Sequence, residues 1–218
     1  RTGNSFVDSF SEILVFFPLL PVFVILFRKI YRQDIFNYLT IICVLDFAKR
    51  LILRVALLNT ANQNSFVHIF SLMEFILLVL AFRTILKKES REILNVIAIA
   101  LISAVITQDV INGIAQKKAL LDGIQHAFIV MLAAYCLVRS VVKENLQILY
   151  SGQFWISTGT LFFFCTAMLV DAMDGCCTPW KHSFPADSEL LFDFASLARY
   201  FFYVLAALLY RSKVNSVE

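Results

Sequence analysis

Residues 35–58 read IFNYLTIICVLDFAKRLILRVALL, and the fold turns on whether this run crosses a membrane. Its length suffices, because about 20 mostly apolar residues span the hydrocarbon of a bilayer. Yet it carries Asp46, Lys49, Arg50 and Arg54. An ion at the centre of a membrane helix costs roughly 2.5–3.5 kcal/mol on insertion scales unless it finds a partner or water. Taken alone the run is ambiguous, and the chain around it decides.

That chain is dominated by apolar residues. Of its 218 residues 60% are hydrophobic and 16% charged, 22 are Phe, and the mean hydropathy is +0.77. A soluble domain averages roughly 45–50% apolar and about 25% charged. This composition lacks the polar surface to cover a water-soluble fold of its size. Six further apolar runs flank the first: about 10–27, 66–86, 93–111, 120–142, 154–173 and 190–210. They are long and continuous, whereas a membrane β-barrel shows segments of alternating polarity about ten residues long. The expectation is an all-α, polytopic membrane protein with one transmembrane helical domain over residues 1–218 and about seven spans. No room remains for a soluble catalytic domain. Pro18 and Pro21 kink the first span. The sequence begins at Arg1 and gives no basis for judging a signal peptide.

Orientation follows from Lys and Arg near span ends, which gather on the cytoplasmic side. The connections after spans one, three, five and seven hold eleven: Arg28, Lys29, Arg32, Arg83, Lys87, Lys88, Arg91, Arg139, Lys143, Arg211 and Lys213. The other side holds four: Arg1, Lys117, Lys118 and Lys181. The prediction is an outer N-terminus and a cytoplasmic C-terminus.

With the spans so directed, the intramembrane polar groups collect in the outer half. Asp46, Arg50 and Arg54 follow at i, i+4, i+8 and share a helix face. His68 lies near the outer surface with Glu74 about two turns deeper. Asp109, Gln125, His126, Asp193 and Arg199 sit at the outer ends of their spans, with Gln108, Asp122, Asp171, Ser196 and Tyr200 nearby. The inner halves are mostly Leu, Ile, Val, Phe and Ala. A polar pocket is therefore expected, roofed by residues 174–189 and lined by Asp46, Arg50, Arg54, His68, Glu74, Asp109, Gln125, His126, Asp193 and Arg199. Guanidinium groups beside acids suit an anionic or zwitterionic ligand. The competing expectation is that these acids and bases only neutralise one another and fix helix register. Lys49, Arg54 and Tyr200 have snorkelling as an alternative role, and the two histidines ordinary hydrogen-bonded packing.

Several chemistries find no pattern. Of His68, His126 and His182, none are paired at i, i+3 or i+4 as zinc ligands on helices often are. The seventh run holds no lysine for a retinal Schiff base. The six glycines form no nucleophile elbow, and phosphate-loop and dinucleotide patterns are absent. Cys43, Cys136 and Cys165 read as small buried hydrophobes, while adjacent Cys176 and Cys177 fall in the longest connection with no spacing that selects a disulfide or a metal. Trp155 and Trp180 mark span ends.

Two stretches, NSFVHIFSLMEF (residues 64–75) and FWISTG (residues 154–159), resemble a group of small multi-pass bacterial membrane proteins of about seven helices. The shared features are an Asn-rich turn, a His, a Glu about six residues on, and a Phe-Trp start to a later span. The resemblance implies the multi-pass fold, a place in a bacterial membrane and a joint role for His68 and Glu74; it implies no activity.

Together these features lead to a receptor- or sensor-like module of the cell membrane, in bacteria the inner membrane. It would bind a small polar or lipid-head ligand and signal to a cytoplasmic partner. A structural subunit of a larger membrane complex and a membrane-embedded enzyme acting on lipid are the alternatives. The expected partners are membrane lipids and a cytoplasmic or membrane protein, with no cofactor and no nucleic acid.

Overall fold

The computed structural model describes residues 13–55, 60–112, 119–144, 149–176 and 185–210. They form seven α-helices and no strand: α1 Leu19–Phe27, α2 Asp34–Val55, α3 Thr60–Ile85, α4 Lys88–Asn112, α5 Ala119–Glu144, α6 Gly152–Cys176 and α7 Pro185–Leu209. Five are long and apolar enough to cross a membrane, over Ser65–Ile85, Lys88–Ile111, Leu121–Val142, Gly152–Ala172 and Leu190–Leu209. The two that fall short do so for different reasons. Helix α2 has the length but carries Asp46, Lys49 and Arg50 at its centre. Helix α1 is short because Pro18 stands at its N-cap and the preceding turns are closed by i→i−3 bonds from Phe16 to Ile13 and Phe17 to Leu14. Proline offers no N–H to an α-helical ladder there, so the helical residues 13–14 give way to turns and regular helix resumes only after it.

The helices run past the ends of the apolar runs. Residues 60–64, which precede the apolar run 66–86, are the first turn of α3, and residues 88–92, between the runs 66–86 and 93–111, open α4. Likewise α6 continues to Cys176 and α7 begins at Pro185, which shortens the connection expected over 174–189. No glycine or proline interrupts residues 60–64 or 88–92, and backbone hydrogen bonding continues where apolarity stops. Cys177, Trp180 and His182, and with them the central part of the expected roof, lie outside the described residues.

Packing follows a ring. Helix α1 lies against α7 and α2, α2 against α3, α3 against α5, α5 against α6, and α6 against α7; α4 packs mainly on α3 from outside. Successive helices alternate in direction: the C-terminal ends of α1 and α7 meet where Arg28 donates to the carbonyls of Ala207 and Leu208, and the N-termini of α2 and α6 lie at that end with the C-terminus of α3, where Asp34, Thr84, Gly152 and Tyr210 line one small cavity. At the same end Phe36, at the start of α2, meets Tyr210 edge to face at 5.0 Å, and Arg139 of α5 donates to the Ile85 carbonyl at 2.9 Å.

Each helix gives one stripe to the interior. On α2 it is Phe36, Leu39, Ile42, Cys43 and Asp46; on α3 Phe75, Leu78, Val79 and Phe82; on α7 Ser196, Arg199, Tyr200, Tyr203 and Ala206. The intervals of three and four residues are those that align side chains on one helix face. Arg50 and Arg199 thus continue stripes that begin as hydrophobic core. The outer faces are apolar as well: Val96, Ile99, Met131, Phe194 and Phe201 are each at least 60% exposed. Such a surface suits lipid rather than water. Cys165, expected in the interior, faces outward, whereas Cys43 and Cys136 are buried. Its neighbours Phe163, Phe164 and Ala167 occupy the inward positions of α6.

Close approach of α6 and α7 depends on glycine. A Cβ at Gly159 would stand 2.8 Å from Cβ of Phe202 and 3.3 Å from the Arg199 carbonyl oxygen. Small residues let membrane helices meet backbone to backbone, and this contact sets the height at which Arg199 enters the bundle.

Candidate functional site

The end of the bundle made by the N-termini of α3, α5 and α7 and the C-termini of α2, α4 and α6 contains a cavity of about 470 Å³. Its charged lining consists of five carboxylates, Asp46, Glu74, Asp122, Asp171 and Asp193, and three bases, Lys49, Arg50 and Arg199, with His68 and His126 beside them.

Arg199 is the centre of the deep part. It is 1% exposed, and its guanidinium donates through Nη1 to Oε1 of Glu74 and through Nη2 to Oδ2 of Asp46 at 3.2 Å. Tyr200 Oη lies 3.4 Å from Nη2, and the Phe163 ring lies beneath the guanidinium with its centroid 4.0 Å from Cζ. One side chain thus ties α7 to α2 and α3 by ion pairs and to α6 by a cation–π contact. Arg50 adds a second bridge: its Nε is 3.6 Å from Asp46 and its Nη1 3.5 Å from Asp193. Ion pairs at such distances offset the cost of taking charge out of water.

Toward the outer helices the pairs are imidazole to carboxylate. His68 Nε2 is 3.3 Å from both oxygens of Asp109, and His68 Nδ1 is 3.9 Å from Asp122. This joins α3 to α4 and α5. His126 Nδ1 lies 3.2 Å from Asp171, joining α5 to α6.

Of the ten residues expected at the site, Asp46, Arg50, His68, Glu74, Gln125, His126, Asp193 and Arg199 line this cavity. Asp109 stands behind His68 as its partner. Arg54 does not line it: one turn beyond Arg50, its side chain is exposed. His68 and Glu74 share the cavity but have separate partners. Lys49, Asp122 and Asp171 also line the cavity, although sequence reasoning does not place them among its walls. For Asp122 and Asp171 the signal is present, since each sits at the same end of its span as the expected groups. Tyr200, for which snorkelling was an alternative, is instead 2% exposed and packed beside Arg199.

Two deep donors, Nε of Arg199 and Nε2 of Gln125, have no acceptor among the described residues, and Nε of Arg50 has only the Asp46 carboxylate at 3.6 Å, beyond hydrogen-bond distance. Buried polar groups are nearly always satisfied, so orphans on one cavity's walls mark a place where acceptors belong. No group of three or more His, Cys, Asp or Glu side chains gathers to hold a metal ion among the described residues. A smaller cavity of about 180 Å³ at the opposite end is lined by Asp34, Thr84, Gly152, Gln153 and Tyr210, among others.

Compared with known proteins, the chain matches no family model, no curated protein and no solved structure.

Proposed function

We propose that this chain is a seven-span membrane protein, N-terminus outside and C-terminus cytoplasmic, that receives a small polar ligand in its outer cavity and passes the change to a partner protein. The observation that carries this reading is the position of Arg199, which ties three helices together by hydrogen bonds and ion pairs and lines a cavity a ligand can enter. A ligand that competes for the partners of Arg199 or Arg50 alters how α7 is held against α2 and α3. A ligand shifts a conformational equilibrium by its differential affinity for the two states, and exchangeable ion pairs supply that difference.

The charge on α2 supports counting it as a span. Asp46 and Arg50 face the cavity and pair there and Lys49 lines it, so these three ions of α2 have the cavity to face rather than lipid. We assign the output to a partner protein; the connection between α3 and α4, on the cytoplasmic side in this orientation, is only Leu86 and Lys87. The bacterial inner membrane is the location that the sequence resemblance implies, and it belongs to the same proposal.

The test compares the wild type with Ser71→Trp, which places an indole in the cavity from α3. Thermal unfolding in mild detergent is followed with and without the polar small-molecule fraction of a cell extract. Stabilisation of the wild type that is lost in Ser71→Trp is expected. Equal behaviour of the two proteins would sink the ligand reading in favour of a static ion-pair network. Reporter fusions at residues 86–88 are expected to report a cytoplasmic position.

A further inference from the structure

The cavity has two chemically different ends. Its deep part is rich in donors that lack a hydrogen-bond partner among the described residues, on Arg199, Arg50 and Gln125. Gln125 and Arg199 are buried, and Arg50 reaches Asp46 only at 3.6 Å, an ion-pair distance too long for a hydrogen bond. Among the described residues its mouth is acidic: Asp122, Asp171 and Asp193 are 34%, 50% and 31% exposed. Five carboxylates against three bases among the described residues give the lining a formal charge of −2 with the histidines neutral.

Neither half suits a singly charged ligand. A plain anion meets an acidic mouth and an unfavourable overall balance. A plain cation is welcome at the mouth but gives the deep donors no acceptor. A molecule with an oxyanion at one end and an ammonium at the other answers both.

We propose that the cavity's ligand is a small free zwitterion that enters oxyanion first. Its carboxylate or phosphate accepts from Arg50 and Gln125, and its ammonium lies among the mouth carboxylates. This rests on the cavity being a ligand site, as proposed above. The order of the two ends also separates a free molecule from a lipid head. The phosphate of a phosphatidylethanolamine is tied to glycerol, so its head enters ammonium first and would set that charge against two guanidinium groups.

The test uses the full chain in phosphatidylglycerol nanodiscs, titrated with two zwitterions, phosphoethanolamine and β-alanine, and with their halves, ethylammonium, ethyl phosphate and propionate. At least one zwitterion is expected to raise the unfolding temperature saturably, at a concentration about tenfold below that of either half. Gln125→Leu keeps side-chain volume and removes one orphan donor, so it is expected to weaken the zwitterion about tenfold and leave ethylammonium unchanged. If Gln125→Leu does not fold, the comparison of whole and half ligands decides by itself. The proposal is overturned if neither zwitterion binds, if a half-ligand does as well, or if phosphatidylethanolamine discs stabilise the protein and the free molecules do not. Zwitterions without effect, beside a polar extract that acts through the Ser71 position, overturn the ligand class alone. Failure of both overturns the ligand reading as well.

Discussion

Replacing Arg199 by Met tests the centre of the site. Met has a similar length, no charge, and a thioether that keeps a favourable contact with the Phe163 ring, so the variant removes the ion pairs with little loss of packing. The size of the loss depends on the two carboxylates left behind. Asp46 retains Arg50 at 3.6 Å. Glu74, 17% exposed and bound to Arg199 in the native protein, loses that guanidinium. Removing one member of a buried pair costs about 3–5 kcal/mol, and the partial exposure of Glu74 places this case near the lower figure, about 3 kcal/mol. For a chain of this size that is a fall of roughly 6–12 °C in unfolding temperature. The companion Glu74→Gln keeps an acceptor for Arg199 and loses less, about 1–2 kcal/mol. In the double variant no carboxylate is stranded at position 74. Arg199→Met with Glu74→Gln is therefore expected to be more stable than Arg199→Met alone, a non-additivity of the kind that neighbouring charged groups show. Unfolding in detergent can be followed by a thiol-reactive dye, because Cys43 and Cys136 are buried in the folded bundle, with far-UV circular dichroism as a second probe. A single variant within about 0.5 kcal/mol of the wild type, or a double variant that loses the sum of the two, would refute the assignment of Arg199 as the tie between α7, α2 and α3.

Other substitutions probe the frame. Gly159→Ala puts a methyl 2.8 Å from Cβ of Phe202, an atom fixed to the α7 backbone; a loss of about 1–3 kcal/mol is expected. Gly123→Ala is the control, since a Cβ there meets nothing within 4 Å, and helix propensity predicts a gain of up to about 1 kcal/mol. The opposite order of the two unfolding temperatures would contradict the close α6–α7 crossing. Ser157 is fully buried and its hydroxyl has no partner among the described residues, so Ser157→Ala is expected to raise stability by about 1 kcal/mol. A loss of that size would mean the hydroxyl is bonded in the folded protein. Arg28→Met removes the donor to the last carbonyls of α7 and is expected to cost about 1 kcal/mol in the same thermal assay; no change would show that water replaces it.

The existence and type of the helices are legible in the sequence because a lipid solvent demands long apolar runs and internally satisfied backbones. Helix ends are less legible: apolarity marks the hydrocarbon boundary, whereas the helix stops where its hydrogen bonding is broken, as at Pro18. The polar end of the bundle is legible too, since alternating spans place His68, Asp122, Asp171 and Asp193 at one level once the runs are ordered. Their partners are not. That His68 meets Asp109, and Glu74 meets Arg199, depends on how each helix is rotated, and in lipid both the inner and the outer face of a helix are apolar. The period of 3.6 then carries little contrast, which is why Cys165 reads as interior, and why Arg54 reads as sharing with Asp46 and Arg50 a face that reaches the cavity only in part.

Helix ends are a second place where basic residues gather, beside the cytoplasmic side on which the proposed orientation relies. The C-termini of α1, α3, α5 and α7 lie at the end opposite the large cavity and those of α2, α4 and α6 at the cavity end, so carbonyl ends favour cations on the first side by only four helices to three, whatever side of the membrane they face. Three of the eleven basic residues on that side serve carbonyls directly: Arg28 on α7, Arg91 on Thr84 and Leu86, and Arg139 on Ile85. Setting those three aside as helix caps leaves eight Lys and Arg against four. The balance keeps its sign with the capping residues removed, so the proposed orientation does not rest on the arginines that the helix ends already explain.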